Sequence, residues 1–238
     1  INFLNSGKFD ELEFHEEKVE LAEAKPLYLP DSFRLLSIGD SQIARSIRSY
    51  VKGRGFSIEE LCKHGVGYAT KEPFFGYLII PFYYHGQLRY YNARKVIGNG
   101  PRYNNPNKDI TGLGKEFIIF NYDALEMYRS VFICEGALNA LTIGDRAIAT
   151  MGKAISQYQV NELLKSSCQR YIILLDPDAR SYAVNLALKL VAYKKVKVVF
   201  LPEGFDVNDL GKKQTLKLVY QTRYQSYQEL IQIRNSLK

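Results

Sequence analysis

Three short apolar runs in the second half of this chain end in carboxylates. Val131-Phe132-Ile133-Cys134 leads into Glu135-Gly136, and Tyr171-Ile172-Ile173-Leu174-Leu175 leads into Asp176-Pro177-Asp178. Val196-Lys197-Val198-Val199-Phe200-Leu201 is followed, after a short loop, by Asp206-Val207-Asn208-Asp209. Runs this short and this apolar read as strands covered on both faces. Ligands of an open parallel sheet bind beyond the carboxyl ends of its strands, so three strand ends deliver acids to one rim. If the strands that carry Glu135 and Asp176 are neighbours, Glu135, Asp176 and Asp178 converge. Like charges a few ångströms apart repel unless a cation lies between them. Mg²⁺ takes one or two carboxylates together with phosphates and waters, and such ions stabilise the attacking and leaving oxygens of phosphoryl transfer. Gly136 would let the backbone turn sharply beside the ions. The plainer reading makes Asp176 or Asp178 a helix N-cap; the three acidic strand ends together favour the chemical one.

A second constellation is basic. Arg89, Arg94, Lys95, Arg102, Lys108 and Lys115 alternate with Tyr83, Tyr84, Tyr90, Tyr91 and Tyr103. Cations along a groove neutralise a phosphate backbone and aromatic faces stack on bases. The alternative is a solvated basic face over tyrosines that belong to the core. Alternation places Arg94 with Tyr90 and Asn92 on one face, and Arg89 with Tyr91 and Lys95 on the other, so only part of the set reaches a ligand. The net charge of +7 permits a polyanionic partner. Cys62, Cys134 and Cys168 are far apart and His15, His64 and His85 are the only histidines, which argues against zinc and disulfides and suits a reducing, cytoplasmic compartment. Cys134 reads as a buried packing residue, and His64 and His85 as structural.

The elements that must position these groups follow from pattern. Residues 1–30 have no sustained period, are rich in acids and end in Pro26 and Pro30; they read as a linker or arm. No membrane span and no signal peptide are expected. The missing initiator Met suggests a fragment or a processed product. Asp40-Ser41 can cap a helix bearing Ile43, Ile47, Tyr50 and Val51, and Ser57 a shorter one. Residues 77–84 and 87–97 read as a hairpin turning at His85-Gly86, with Pro81 at an edge or bulge. Residues 98–116 read as a long loop. Beyond them, strands at 131–134, 147–150, 171–175 and 196–201 alternate with helices, the pattern of a parallel sheet flanked by helices. The expected division is 31–128 for a smaller α+β domain, 129–212 for the parallel-sheet domain and 213–238 for a helical tail with Leu216, Val219 and Tyr220 on one side.

The acidic motifs, in this order, resemble the TOPRIM domain, in the variant of bacterial (DnaG-like) and phage primases. Upstream, Arg54-Gly55-Phe56-Ser57, His64-Gly65-Val66-Gly67-Tyr68, Leu78-Ile79-Ile80-Pro81-Phe82, Asn92-Ala93-Arg94 and Pro101-Arg102-Tyr103-Asn104-Asn105-Pro106 resemble elements of the same primases. The resemblance spans roughly residues 40–212. It implies a DNA primase catalytic core, a nucleotidyltransferase that makes short RNA primers on single-stranded DNA from ribonucleoside triphosphates with Mg²⁺ or Mn²⁺. Glu135 would be the general acid/base or a metal carboxylate, Asp176 and Asp178 metal ligands, and Asp206 and Asp209 further acids at the site. Arg89, Arg94, Lys95, Arg102 and Lys115 would contact template or nucleotide. A replicative helicase and a zinc-binding module ahead of Ile1 would be partners. Two positions depart from the pattern: Asn139 stands where an Asp is usual, and Arg180-Ser181 where the family continues Ala-Gly. The alternatives are a TOPRIM nuclease and a non-catalytic relative that binds nucleic acid or a helicase.

Overall fold

The computed structural model describes residues 25–237. Strand β1 (Phe33–Leu35), β2 (Gly67–Ala69), β3 (Tyr77–Tyr84) and β4 (Gln87–Lys95) form an antiparallel sheet in chain order. The β3–β4 turn places His85 at φ 50° and Gly86 at φ 78°, the pair of left-handed residues that a two-residue hairpin turn requires. Pro81 sits inside β3, and β2 pairs with β3 only as far as Ile79. Past that point β3 has a single neighbour, so a missing N–H costs no ladder bond on the open side. The register then slips between Phe82 and Tyr83, which leaves Arg89 without a partner on β3, a bulge.

Helix α1 (Gln42–Gly53) starts at Ser41, whose side chain accepts from the Ala44 N–H. Helix α2 (Ile58–Lys63) starts at Ser57 in the same way. The stretch expected as a long loop is partly ordered into helix α3 (Lys108–Thr111) and a 3₁₀ turn at Lys115–Phe117. Tyr103 bridges back to Arg94, so this segment lies along β4. Helix α4 (Ala124–Met127) leads into the second sheet.

That sheet contains β5 (Ser130–Cys134), β6 (Ala147–Ala149), β7 (Arg170–Leu174) and β8 (Lys195–Val198) in the order β6-β5-β7-β8, every neighbouring pair parallel. Its helices are α5 (Ala137–Ile143), α6 (Gln157–Lys165), α7 (Arg180–Leu190), α8 (Val207–Gln221) and α9 (Tyr227–Ser236). Alternation along the strands divides the core. Val131, Ile133, Tyr171, Ile173, Val196 and Val198 pack with α6, α7 and α9. Cys134, Ile172 and Leu174 point the other way and share one apolar cluster with α5 and α8. The same cluster takes in Ile47 and Val51 of α1, Leu61 of α2, and Ile80 and Phe82 of β3. Each such side chain fully withdrawn from water contributes about 1.5–3 kcal/mol. Packing therefore runs unbroken across the expected boundary at 128/129.

Of the expected arm, residues 1–24 lie outside the described residues. Leu27 and Leu29 pack, with Phe33 and Phe74, over Tyr77, Ile79, Tyr91 and Ala93 on the outer face of the antiparallel sheet. The expected tail needs correction. Helix α8 begins at Val207 and runs through the 212/213 boundary, with a kink at Gly211 (φ 72°). Beyond the kink the buried face is centred on Thr215 and Val219, which leaves Tyr220 83% exposed. Between α8 and α9, Gln225 bonds the edge of β8: its N–H donates to the Val196 carbonyl at 3.1 Å and its Oε1 accepts from the Val198 N–H at 2.8 Å. A covered edge offers no template for pairing with another chain. Among the described residues no helix is long and apolar enough to cross a membrane.

Candidate active site

β5 and β7 are adjacent and parallel, so the residues that follow them emerge together. Here a cleft of ≈ 640 Å³ opens between the carboxyl end of the parallel sheet and the antiparallel sheet. Its acidic side carries Glu135, Asn139, Asp176, Asp206 and Asp209. Arg94, Arg102, Tyr103 and Lys115 line it from the antiparallel sheet and the loop after it, and Arg54 lines it beside Asn208, which donates to the Arg54 carbonyl at 3.1 Å.

Glu135 directly follows β5. Its Oε2 is buried and has no hydrogen-bond partner among the described residues. Burial, then the nearby charges of Asp176 and Asp178, push its carboxyl up to about 7, with Lys153 acting in the opposite direction. Asp176 occupies the N-cap position of the 3₁₀ turn Pro177–Ala179 but makes no side-chain cap bond. Its Oδ1 instead accepts from Asn139 Nδ2 at 3.1 Å. Burial raises it first, followed by Asp206, Asp178 and Asp209, to about 6. Asp178 does not line the cleft; its Oδ2 is 2.9 Å from Lys153 Nζ. Asp206 and Asp209 line the cleft and also close a capping box on α8. Asp206 accepts from the Asp209 N–H at 2.8 Å, and Asp209 accepts from the Asp206 N–H at 3.2 Å. The capping role weighed for Asp176 and Asp178 thus belongs to Asp206 and Asp209.

Among the described residues no three His, Cys, Asp or Glu side chains form a ready metal cage. The donors on the acidic wall are hard oxygens, one of them buried without a partner. They fit a hard divalent ion that arrives with phosphate and water ligands better than one held by protein alone. Gly136 is extended (φ −119°), and a Cβ there would meet nothing within 4 Å. The expected sharp turn is corrected: any residue tolerates this backbone, and glycine simply leaves the rim open. Arg180 has ordinary helical angles and turns away, to Glu203 at 2.9 Å.

The five expected cations do not share one surface. Arg94, Arg102 and Lys115 line the cleft, and Tyr103 lies between the two arginines with each guanidinium 5.6 Å from its ring centre. Lys95 projects from the opposite face of β4, its Nζ donating to the Phe75 carbonyl at 2.9 Å above the Tyr77 ring. Arg89, carried sideways by the bulge, lies near enough to Tyr158 to act on its hydroxyl. Of the tyrosines, Tyr90 and Tyr91 are buried and Tyr84 stacks on Tyr122 at 4.5 Å. Tyr103, 42% exposed, is the aromatic that faces the cleft with a free surface.

Two residues outside the expected site set also matter. Arg54, quoted from sequence only within the Arg54-Gly55-Phe56-Ser57 motif, lines the cleft with a buried Nε that has no partner among the described residues; its place in that motif was the available signal. Asn105 accepts from Asn92 Nδ2 at 3.1 Å and from the Ala93 N–H at 2.9 Å, and so fixes the loop that carries Arg102 against β4. Cys134 is fully buried, and burial followed by the charges of Asp176 and Asp206 holds its thiol protonated. His64 faces Asp145 at 3.3 Å and the His85 N–H donates to Asp123 at 2.9 Å, both away from the acids.

The pairing of an antiparallel hairpin sheet with a parallel β6-β5-β7-β8 sheet is the fold of DnaG-type primase catalytic cores. The E. coli primase catalytic core superposes with a TM-score of 0.66 at 19% identity, covering 83% of this chain and 78% of the other. The Aquifex aeolicus primase (zinc-binding and RNA polymerase domains) gives 0.64 at 22% identity over 78% and 57%. A DnaG primase catalytic domain bound to ssDNA gives 0.64 at 20% identity over 78% and 74%. In sequence, the chain is 28% identical over 149 residues to the DNA primase of Aquifex aeolicus, and 24% identical over 112 residues to that of Lactococcus lactis subsp. lactis. These matches cover 56% and 43% of this chain but only 30% and 17% of the relatives. No protein-family model matches the chain. The chain thus has the fold of DnaG-type primase catalytic cores and is similar in sequence to parts of two DNA primases.

Proposed function

We propose that this chain is the catalytic core of a DNA primase that joins ribonucleotides on a single-stranded DNA template in a reaction dependent on Mg²⁺ or Mn²⁺. The observation that carries the reading is the meeting, within one cleft, of carboxylates that repel one another and cations that have no acidic partner among the described residues. Glu135 and Asp176 have raised pKa values and Glu135 a partnerless oxygen, while Arg54, Arg94, Arg102 and Lys115 face them. Two carboxylates that repel each other favour a divalent ion; a row of cations favours phosphates.

Glu135 and Asp176 are the residues that would hold the ions, with Asp206 and Asp209 beside them and Asp178 joining once Lys153 moves aside. When bound, a divalent ion stabilises the attacking and leaving oxygens of the phosphoryl transfer. Arg94, Arg102 and Lys115 bind and orient the triphosphate and the template backbone. Arg54 supplies one further N–H donor to a phosphate oxygen. Tyr103 offers a ring on which a base stacks. A 3′-hydroxyl then attacks the α-phosphorus of the incoming ribonucleotide and pyrophosphate leaves. Glu135 would take the hydroxyl proton where it does not itself ligate the ion. In the cell this core would act in the cytoplasm of a bacterium or phage-infected host, with a helicase and a zinc-binding module as partners.

The test incubates the chain with single-stranded DNA, labelled ribonucleotides and Mg²⁺ or Mn²⁺. Short RNA products are expected with the native chain and are lost in Asp176→Ala. Template cleavage without nucleotide addition would move the reading to a nuclease. DNA binding with neither reaction would make the chain a non-catalytic relative.

A further inference from the structure

The opposite end of the parallel sheet carries a second charged feature. Arg146, Arg129, Arg170 and Lys195 stand at or just before the amino ends of β6, β5, β7 and β8, which follow one another in the sheet. Backbone bonds tie them together: the Gln169 and Arg170 N–H groups both donate to the Arg129 carbonyl at 3.1 Å, and the Lys195 N–H donates to the Gln169 carbonyl at 3.0 Å. Neighbouring strands lie about 4.8 Å apart, so the four positions succeed one another along this edge; Arg146 stands outside the trough shared by the others, its guanidinium 5.3 Å from the Tyr128 ring centre. All four are exposed, and none takes part in an ion pair among the described residues. Arg129, Arg170, Lys194 and Lys195 line a trough of ≈ 570 Å³, and no carboxylate among the described residues lines it. Lys194 is fixed by the Ser166 and Cys168 carbonyls at 2.7 and 2.8 Å; its charge is therefore held in place.

We infer that this edge is a second nucleic-acid site, which grips the phosphate backbone of a single strand at a distance from the cleft. A cluster of like charges along one edge, with no acidic partner among the described residues, matches a polyanion. The apolar lining is limited to Val191, Ala192 and the body of one tyrosine. That gives an acidic peptide none of the deep apolar anchor pockets on which peptide affinity depends. Five-residue strands separate this edge from the acidic rim by roughly 15 Å, so only a strand longer than the cleft reaches both. The inference rests on the proposed function for the identity of the polyanion, template or product strand, and not for the site itself.

The test measures fluorescence anisotropy of labelled oligothymidylates of roughly 8 and roughly 30 nucleotides, the shorter being the length that one small binding surface occupies. The triple variant Arg129→Ala/Arg170→Ala/Lys195→Ala should bind the longer strand about 10-fold more weakly at low salt, with the slope of log K against log salt reduced by about 2. Binding of the short strand, and RNA synthesis on a short template, should stay at the native level. Arg129→Lys/Arg170→Lys should keep most of the long-strand affinity, since charge is the requirement; native thermal unfolding of both variants reports an intact fold. Unchanged long-strand affinity and slope would overturn the inference. So would a triple variant that loses binding to poly-glutamate but not to DNA, which would make the edge a protein-docking surface. If no variant or native chain makes RNA yet the long-strand defect appears, the site stands and the primase reading fails.

Discussion

On the acidic wall of the cleft, Glu135 and Asp176 have carboxyls pushed up to about 7 and about 6, and one Glu135 oxygen has no partner. On the basic wall, Arg94 already donates to the Tyr103 hydroxyl at 2.7 Å, and the loop carrying Arg102 is fastened by Asn105. The acids are held at a cost; the cations are held at rest. The difference follows from how each wall is made. Parallel strands end side by side, so the residues after them crowd together whatever their charge. A hairpin disperses its side chains over two faces, and its cations settle against rings and carbonyls. A wall that is destabilised without its ligand points to where the ligand's own charge is needed.

Glu135→Gln should break this contrast most. The amide keeps the shape and removes the proton acceptor, so RNA synthesis should fall by about 10²–10⁴-fold, measured as labelled product per unit time at saturating divalent ion. Next in size, Arg94→Ala should weaken binding of single-stranded DNA or nucleotide several-fold and lower the salt slope by about 0.7. Lys95→Ala, one residue along and on the other face, should leave both unchanged in the same anisotropy titration. Equal losses in the two variants would show that the walls are not divided as described.

A third prediction concerns pH. The Glu135 carboxyl is raised above its ordinary value of 4.5 to about 7, so the folded chain holds this proton more tightly than the unfolded one. Its contribution to stability therefore falls as pH rises from about 4.5 to about 7, and the full penalty applies above that. With allowance for its half-exposed position, Glu135→Gln should gain about 1–2 kcal/mol at pH 8 and nothing at pH 4, read by denaturant unfolding. Millimolar Mg²⁺ should offset part of the same penalty in the native chain. The smallest effect is expected at the capping pair. Asp206→Ala should cost about 1 kcal/mol of stability and far less synthesis than Asp176→Ala, because its bond to the Asp209 N–H holds α8.

Much of the parallel sheet was legible because its signals are local. The runs at 131–134 and 171–175 are continuous and apolar, and Ser156 with Gln159 marks the start of α6 within four residues. The acidic rim followed from the rule for strand ends, and the adjacency of β5 and β7 supplied the condition on which it depended. The basic side of the cleft was legible in part: alternation placed Arg94 with Tyr90 and Asn92, and these three line the cleft while Lys95 does not. The bulge at Phe82/Tyr83 that sets Arg89 aside was not legible. The tail misled because Leu216, Val219 and Tyr220 suggested one apolar side, whereas the packed face is centred on Thr215 and Val219 and Tyr220 points to water. Arg54 was marked only by its motif, since nothing local records where the end of α1 points.

What the residues alone determined was the inventory: four buried strands, carboxylates after three of them, and a hairpin rich in arginine and tyrosine. Tertiary structure decided which of those charges meet. It separated Asp178 from the cleft by pairing it with Lys153, assigned Asp206 and Asp209 to a helix start, sent Lys95 to the far face and brought Arg54 in. Local preference is set by neighbours along the chain, whereas the cost of an unpaired charge is set by whatever the fold places within a few ångströms of it.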